Sequence, residues 1–166
     1  AHFFRPNFWV NTPDILPFHL QHASANTFKM RALLAATLTP LWGMYAGYEL
    51  CENIPLGPGR EEYLDSEKYE IKIRDFNSLN NIQAFIAKLN QVRKDQAPLA
   101  QLRTLVFHRT DSEKILAYSK SDGDKYTIII VNLDPDNPQS TYLHFDTYYL
   151  GKRDDINVRD LLSGDT

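Results

Sequence analysis

The spacing of apolar residues changes period once along this chain, and that change most limits what it can fold into. Before about residue 98, short apolar runs alternate with stretches whose apolar residues recur every three or four positions. Beyond it, apolar residues recur at every second position between Gly, Pro and Asp punctuation. The first pattern predicts β/α units of a parallel sheet or barrel, and the second an antiparallel sheet. The change of pattern places a domain boundary near residues 97 to 101.

In the first half, Phe8-Trp9-Val10 reads as the end of a buried strand, followed by the loop Asn11-Thr12-Pro13-Asp14. Ser24 is a fair N-cap for a helix in which Phe28, Ala32, Ala35 and Leu38 recur until Pro40 stops the run. Its alanines would let it lie close against a sheet. Leu41 to Leu50 has no polar face and reads as a second buried strand, as in parallel sheets, with Glu49 and Glu52 at its end. A loop with Pro55, Gly57, Pro58 and Gly59 follows, and Ile82, Phe85, Ile86, Leu89 and Val92 mark an amphipathic helix.

In the second half, Leu105 and Phe107 alternate with polar neighbours. Ile115 to Tyr118 and Tyr126 to Leu133 flank Ser121-Asp122-Gly123-Asp124, where Asp-Gly signals a hairpin. Pro135 and Pro138 interrupt the pattern, Tyr142 to Phe145 resumes it, and Val158 to Leu162 runs into Ser163-Gly164-Asp165.

Composition excludes several classes of function. With 166 residues, 43% hydrophobic and 12% aromatic, the chain has apolar material for one ordinary domain or two small ones. The net charge is −3 and basic residues are scattered among acids, so no stripe exists to follow a nucleic-acid backbone. Cys51 is the only cysteine, which rules out an internal disulfide and suits a reducing cytoplasm. His2, His19, His22, His108 and His144 lack metal-ligand spacing, so neither a metal nor another cofactor is expected. No stretch is long enough to span a bilayer, and the aromatic start is unlike a signal peptide. The abrupt opening inside a strand-like run reads as a chain cut from something longer.

Active sites of α/β barrels lie where loops leave the carboxyl ends of strands, so Asn11 to Asp14 and Glu49 to Glu52 should converge on one face. Asp14, directly after a strand, is either a carboxylate facing a positively charging substrate carbon or a cap of the next turn. The run Glu61-Glu62-Tyr63-Leu64-Asp65-Ser66-Glu67-Lys68-Tyr69-Glu70 mixes charge and aromatic rings; it is either a sugar-binding loop or a solvated surface.

Several of these segments together resemble one family. Phe8-Trp9-Val10-Asn11-Thr12-Pro13-Asp14-Ile15-Leu16 is similar to the last conserved barrel block of the maltosyltransferase branch of the α-amylase superfamily, where Asn-Thr-Pro-Asp stands in place of Asn-His-Asp. Arg31 to Leu38, Gly43 to Leu50 and Glu62 to Glu70 resemble the same branch in order and spacing, and Asp160-Leu161-Leu162-Ser163-Gly164 echoes its β domain. The resemblance implies an α/β plus all-β chain: the carboxyl-terminal portion of a TIM (β/α)8 barrel over residues 1–98, then an antiparallel β-sandwich over 99–166, possibly incomplete.

It further implies an enzyme that moves maltosyl units from α-maltose 1-phosphate to the non-reducing end of an α-1,4-glucan acceptor. Asp14 then matches the carboxylate that stabilises the transition state, and Lys68 and Tyr69 match the pair that holds the donor maltosyl group. The nucleophile and the acid/base carboxyl match nothing here, so the chain by itself is expected to be inactive. With roughly two of eight barrel units, apolar faces should be exposed or shared between chains, and a homo-oligomer is expected. The rivals are an amylase-type hydrolase on the same scaffold and a non-catalytic carbohydrate-binding β module.

Overall fold

Leucine and alanine favour helix strongly, and the computed structural model, which describes residues 3–68, 70–146 and 157–164, has its longest helix where they concentrate. Helix α1 (Ala25–Leu38) starts after Ser24, which sits in extended geometry as N-cap; its carbonyl accepts from the Thr27 and Phe28 amides while its hydroxyl caps nothing. The helix ends because a residue before proline avoids helical geometry, and Thr39, ahead of Pro40, is extended. The orphan carbonyls at that end are taken by Arg93 of helix α2 (Gln83–Asp95). Its guanidinium donates to Ala36 O, to Thr39 O (3.4 Å) and to Pro40 O (2.9 Å).

Strands β1 (Asn7–Trp9) and β2 (Leu41–Gly43) flank α1 in sequence and pair in parallel, Asn7 opposite Leu41 and Trp9 opposite Gly43. Gly43 admits no side chain, because a Cβ there would overlap the Trp9 indole. The long strand expected over Leu41 to Leu50 is therefore a correction: only three residues are strand. Gly47 and Cys51 adopt left-handed geometry (φ 97 and 54), and between them Tyr48–Leu50 forms a 3-10 turn. The apolar run is nevertheless buried, since Tyr48 passes under α1, packs its ring at a tilt of 50° against Phe28 with centres 4.9 Å apart, and donates its hydroxyl to Phe28 O at 2.6 Å. The expected burial of β1 is corrected too: Val10 is buried, but Trp9 is 53% exposed and Phe8 and Leu41 are also exposed.

The antiparallel half forms one sheet in the order β5-β4-β3-β6, built from β3 (Val106–Thr110), β4 (Ile115–Asp122), β5 (Lys125–Asn132) and β6 (Leu143–His144). At the hairpin, Asp122 pairs with Lys125, so Gly123 and Asp124 make the two-residue loop and Gly123 supplies the positive φ of 62. Residues 161–163 form a turn. Among the described residues this sheet is single; a second layer of a sandwich is not among them.

Two cores meet at α1. Phe28, Ala32, Ala35 and Ala36 join Val10, Leu16, Tyr48, Tyr63, Ile82, Ile86 and Leu89 in the first. Met30, Leu33, Leu34, Leu38 and Val92 pack on the second, formed by Leu99, Tyr118, Ile129 and Val131. The Thr37 hydroxyl lies 2.6 Å from the Tyr118 hydroxyl and ties helix to sheet. Leu99 comes from the 3-10 turn Ala97–Ala100, where the chain passes from helix to sheet.

Lys120 is the anomaly of this junction: 0% exposed, it donates from Nζ to Leu99 O at 3.3 Å. Burial, assisted by the nearby Arg93 charge, brings it down from 10.5 to about 8. A lowered lysine binds fewer protons folded than unfolded between those values, so its charge costs stability below pH 8 and the cost disappears as pH rises to 10.5. Lys120→Met should be more stable than the native chain at pH 7, and the difference should shrink by about 3 kcal/mol between the two titrations. Urea unfolding of both proteins against pH checks this. Tyr48, Tyr63, Tyr118 and Cys51, all raised by burial, titrate in both and cancel in the difference.

Candidate functional site

The turn after β1 places the first candidate. Val10 N donates to Gly43 O (3.1 Å), which fixes the end of β1 against β2. Thr12 and Ile15 then exchange backbone hydrogen bonds of 3.2 Å, and the Thr12 hydroxyl accepts from Ile15 N at 3.1 Å. Thr12 thus closes this turn, and the carboxylate of Asp14 is turned outward, 62% exposed, with Lys68 Nζ 3.2 Å from its Oδ1. Lys68 is itself half exposed. The loop that carries it is tied down at its base by Leu16 N to Glu61 O (2.6 Å), Leu56 N to Glu62 O (2.7 Å) and Leu64 N to Ile54 O (3.0 Å). Ser66 Oγ reaches Pro13 O at 3.5 Å. Tyr69 lies outside the described residues.

Asp14 and Lys68 border a cleft of about 200 Å3 whose walls include Leu56 and Tyr63, with Glu62, Asp65 and Glu70. Its charged lining comprises four carboxylates and one ammonium. Such a wall offers many hydrogen-bond acceptors to hydroxyl groups and repels a phosphate dianion. Among the described residues no group of three or more His, Cys, Asp or Glu is placed to hold a metal ion, and no helix is long and apolar enough to cross a membrane.

Behind the cleft runs a polar network that sequence reasoning did not single out. Asn11 is 2% exposed; its amide donates to the Tyr63 hydroxyl (2.6 Å) and to Tyr45 O (3.4 Å), and its Oδ1 accepts from Tyr45 N (2.9 Å). Tyr45 donates its hydroxyl to Glu67, the neighbour of Lys68. Arg74, its side chain 6% exposed, closes the network: Nε to Glu52 Oε1 (2.9 Å), Nη1 to Glu67 Oε2 (3.0 Å), and Nη2 to the Tyr45 hydroxyl (3.4 Å). Lys72 Nζ adds a second cation 3.2 Å from Glu52. Glu49 accepts from Gly47 N at 3.0 Å. Both glutamates are therefore held by their own neighbourhood and neither lines the cleft.

The charges in this network stabilise one another. Burial alone would lower Arg74, but hydrogen bonds with Tyr45, Glu52 and Glu67 outweigh it and raise it further. Hydrogen bonds from Tyr45 and Arg74 hold the Glu67 carboxyl below the usual range. Burial pushes Tyr63 up to about 12, against the lowering effect of its bond from Asn11. The one local signal of the network is the alternation Ile71-Lys72-Ile73-Arg74, which sends both cations to Glu52 and leaves both isoleucines exposed.

Residues 107–166 match the family described as GLGE, C-terminal. Alpha-1,4-glucan:maltose-1-phosphate maltosyltransferase 1 of Streptomyces coelicolor is 48% identical over 100% of this chain and 26% of its own length. The chain is homologous to this part of the maltosyltransferases. Their counterparts from Rhodospirillum rubrum and Mycobacterium tuberculosis are 47% and 45% identical, each over 99% of the chain and 24% and 25% of their lengths. The chain thus spans about a quarter of the maltosyltransferases it matches. In fold, a crystal structure of a gamma-CGTase from alkalophilic Bacillus clarkii aligns with a TM-score of 0.55 at 16% identity, over 78% of this chain and 18% of that one.

Asn11 supports the first prediction about the site. Asn11→Ala leaves the Tyr45 amide and the buried Tyr63 hydroxyl without their partner, which should cost about 2–3 kcal/mol in urea unfolding. Tyr45→Phe, which keeps the Asn11 bonds, should cost less than Asn11→Ala.

Proposed function

We propose that this chain is the carboxyl-terminal part of a retaining maltosyltransferase that transfers maltosyl units from α-maltose 1-phosphate to the non-reducing end of an α-1,4-glucan. The observation that carries the reading is the ion pair of Asp14 and Lys68 over a carboxylate-walled cleft. Its support from outside the chain is the names of its relatives, which are maltosyltransferases that use maltose 1-phosphate and α-1,4-glucan.

A retaining transfer forms positive charge at the anomeric carbon as the bond to phosphate oxygen breaks, and again as the acceptor hydroxyl attacks. In this reading Asp14, exposed and not used as a cap, faces that carbon in both steps. Lys68, with Tyr69, donates to hydroxyls of the maltosyl group and holds the ring over Asp14. The cleft admits the neutral sugar, and its carboxylates send the leaving phosphate elsewhere. The nucleophile and the acid/base carboxyl, about 5 Å apart in such enzymes, come from other parts of the parent. The chain alone is then inactive.

The same proposal assigns β1, α1, β2 and α2 to the last units of a (β/α)8 barrel over residues 1–98, and the antiparallel sheet to a β-sandwich domain over 99–166. The exposed Phe8, Trp9 and Leu41 support this, because the other units of a barrel would cover them. A cytoplasmic, homo-oligomeric parent completes the reading.

Two measurements test it. In a polypeptide carrying the whole barrel, Asp14→Asn should lower kcat for phosphate release from maltose 1-phosphate by about 100-fold or more with little change in KM, as expected for a group that acts on the transition state. The 166-residue chain alone should release no phosphate above an Asp14→Asn control; release above that control refutes its inactivity.

A further inference from the structure

We infer that Arg74, bridging Glu52 to Glu67, is a positioning residue that sets where Lys68 stands relative to Asp14. Given that Asp14 and Lys68 face the donor as proposed above, this clamp determines how well the pair is prearranged for the sugar.

Lys68 is half exposed and Asp14 62% exposed where they meet, so this contact by itself is too screened to hold a loop in one place. Glu67, one residue earlier, is fixed from two directions by Arg74 Nη1 at 3.0 Å and by the Tyr45 hydroxyl. Arg74 is anchored in turn by Glu52, which follows the 3-10 turn after β2, through Nε at 2.9 Å and Nη2 at 3.5 Å. A planar guanidinium that spans two carboxylates transmits orientation as well as charge. From Tyr45 the path continues to Asn11, two residues past the end of β1 and three before Asp14. Asp14 and Lys68 are thus both mounted on one frame, with Asn11 buried and Arg74 nearly buried at its base and Glu67 at its surface end.

Gly47 shows how closely the frame is built. Its φ of 97 suits glycine, and a Cβ there would overlap the Glu52 carboxylate at the point where Arg74 grips it. Arg74 also lies over the Tyr45 ring, 5.5 Å from its centre; a lysine could keep a charge over the ring but not the planar fork that spans both carboxylates.

A zero-length carbodiimide cross-link between Asp14 and Lys68, quantified by peptide mass spectrometry on the 166-residue chain, reads the geometry directly. The native chain should give the Asp14–Lys68 amide. Glu67→Gln removes one charge at the surface end of the clamp and leaves Glu52 and Arg74 paired. It should lower the cross-link yield roughly tenfold, the equivalent of one charge-assisted hydrogen bond, with the thermal midpoint nearly unchanged. Arg74→Met and Gly47→Ala should lower it at least as far, and Arg74→Lys should restore only part of it. A folded Glu67→Gln chain that cross-links like the native one overturns the clamp, even where Arg74→Met does not fold. A lost cross-link in Glu67→Gln supports it, whatever Asp14→Asn does to turnover in the parent. An unaffected turnover there would remove the donor-site reading and leave the clamp standing.

Discussion

Helix α1 is buried on two sides, and the rest of the structure is arranged around that constraint. One side packs small residues and Phe28 into the core under β1 and β2, and the other packs Leu33, Leu34 and Leu38 onto the antiparallel sheet. Its amide and charged residues, Asn26, Lys29 and Arg31, all lie in the first two turns, so beyond them its orientation is set by which residues are small and which are large. Ala32, Ala35 and Ala36 bring the backbone close to Tyr48, whose hydroxyl reaches a helix carbonyl. Thr37 and Tyr118 fix the opposite side with a single buried hydroxyl pair.

The position of α1 propagates to the cleft through its ends. Arg93 satisfies the carbonyls at its carboxyl end and so locks α2 and Pro40, from which β2 departs. Tyr48 under its first turns fixes the 3-10 turn that carries Gly47 and Glu52. Both strands and the far anchor of Arg74 are therefore located by the same helix. A change in the α1 core would be felt at Glu67 by way of Glu52 and Arg74, although the cleft touches α1 nowhere.

Much of this could be read from residue order, and the reasons for the failures are physical. Both helices were legible because their apolar spacing is local and Pro40 leaves no choice at the boundary. The hairpin was legible because Gly123 must supply a positive φ. Leu41 to Leu50 was misread because a run with no polar face specifies burial and says nothing of backbone geometry; two left-handed residues bury it as a turn. Phe8 and Trp9 were read as buried because their hydrophobicity carries no record of what covers them. At the site, the place of Asp14 after a strand was visible from its neighbours, whereas Lys68 was singled out only by family resemblance. The clamp left one local trace, the alternation Ile71-Lys72-Ile73-Arg74, and was otherwise invisible, because Tyr45 and Glu52 meet Glu67 and Arg74 across 22 to 29 residues.

Exposure divides the work within the site. An exposed ion pair such as Asp14 with Lys68 contributes about 0–1 kcal/mol, while ordering each loop residue costs about 1–2 kcal/mol, so the pair cannot fix its own geometry. Removing one partner of a buried pair costs about 3–5 kcal/mol, and the nearly buried pair of Arg74 with Glu52 is closer to that regime than the more exposed Glu67. The groups that would meet a sugar are therefore left hydrated and free to exchange one another for its hydroxyls. The rigidity they need is supplied one residue away, where no ligand has to enter. In the role proposed for it, Asp14 stays at the surface within reach of a ligand, while the nearly buried Arg74 orients the loop of its partner.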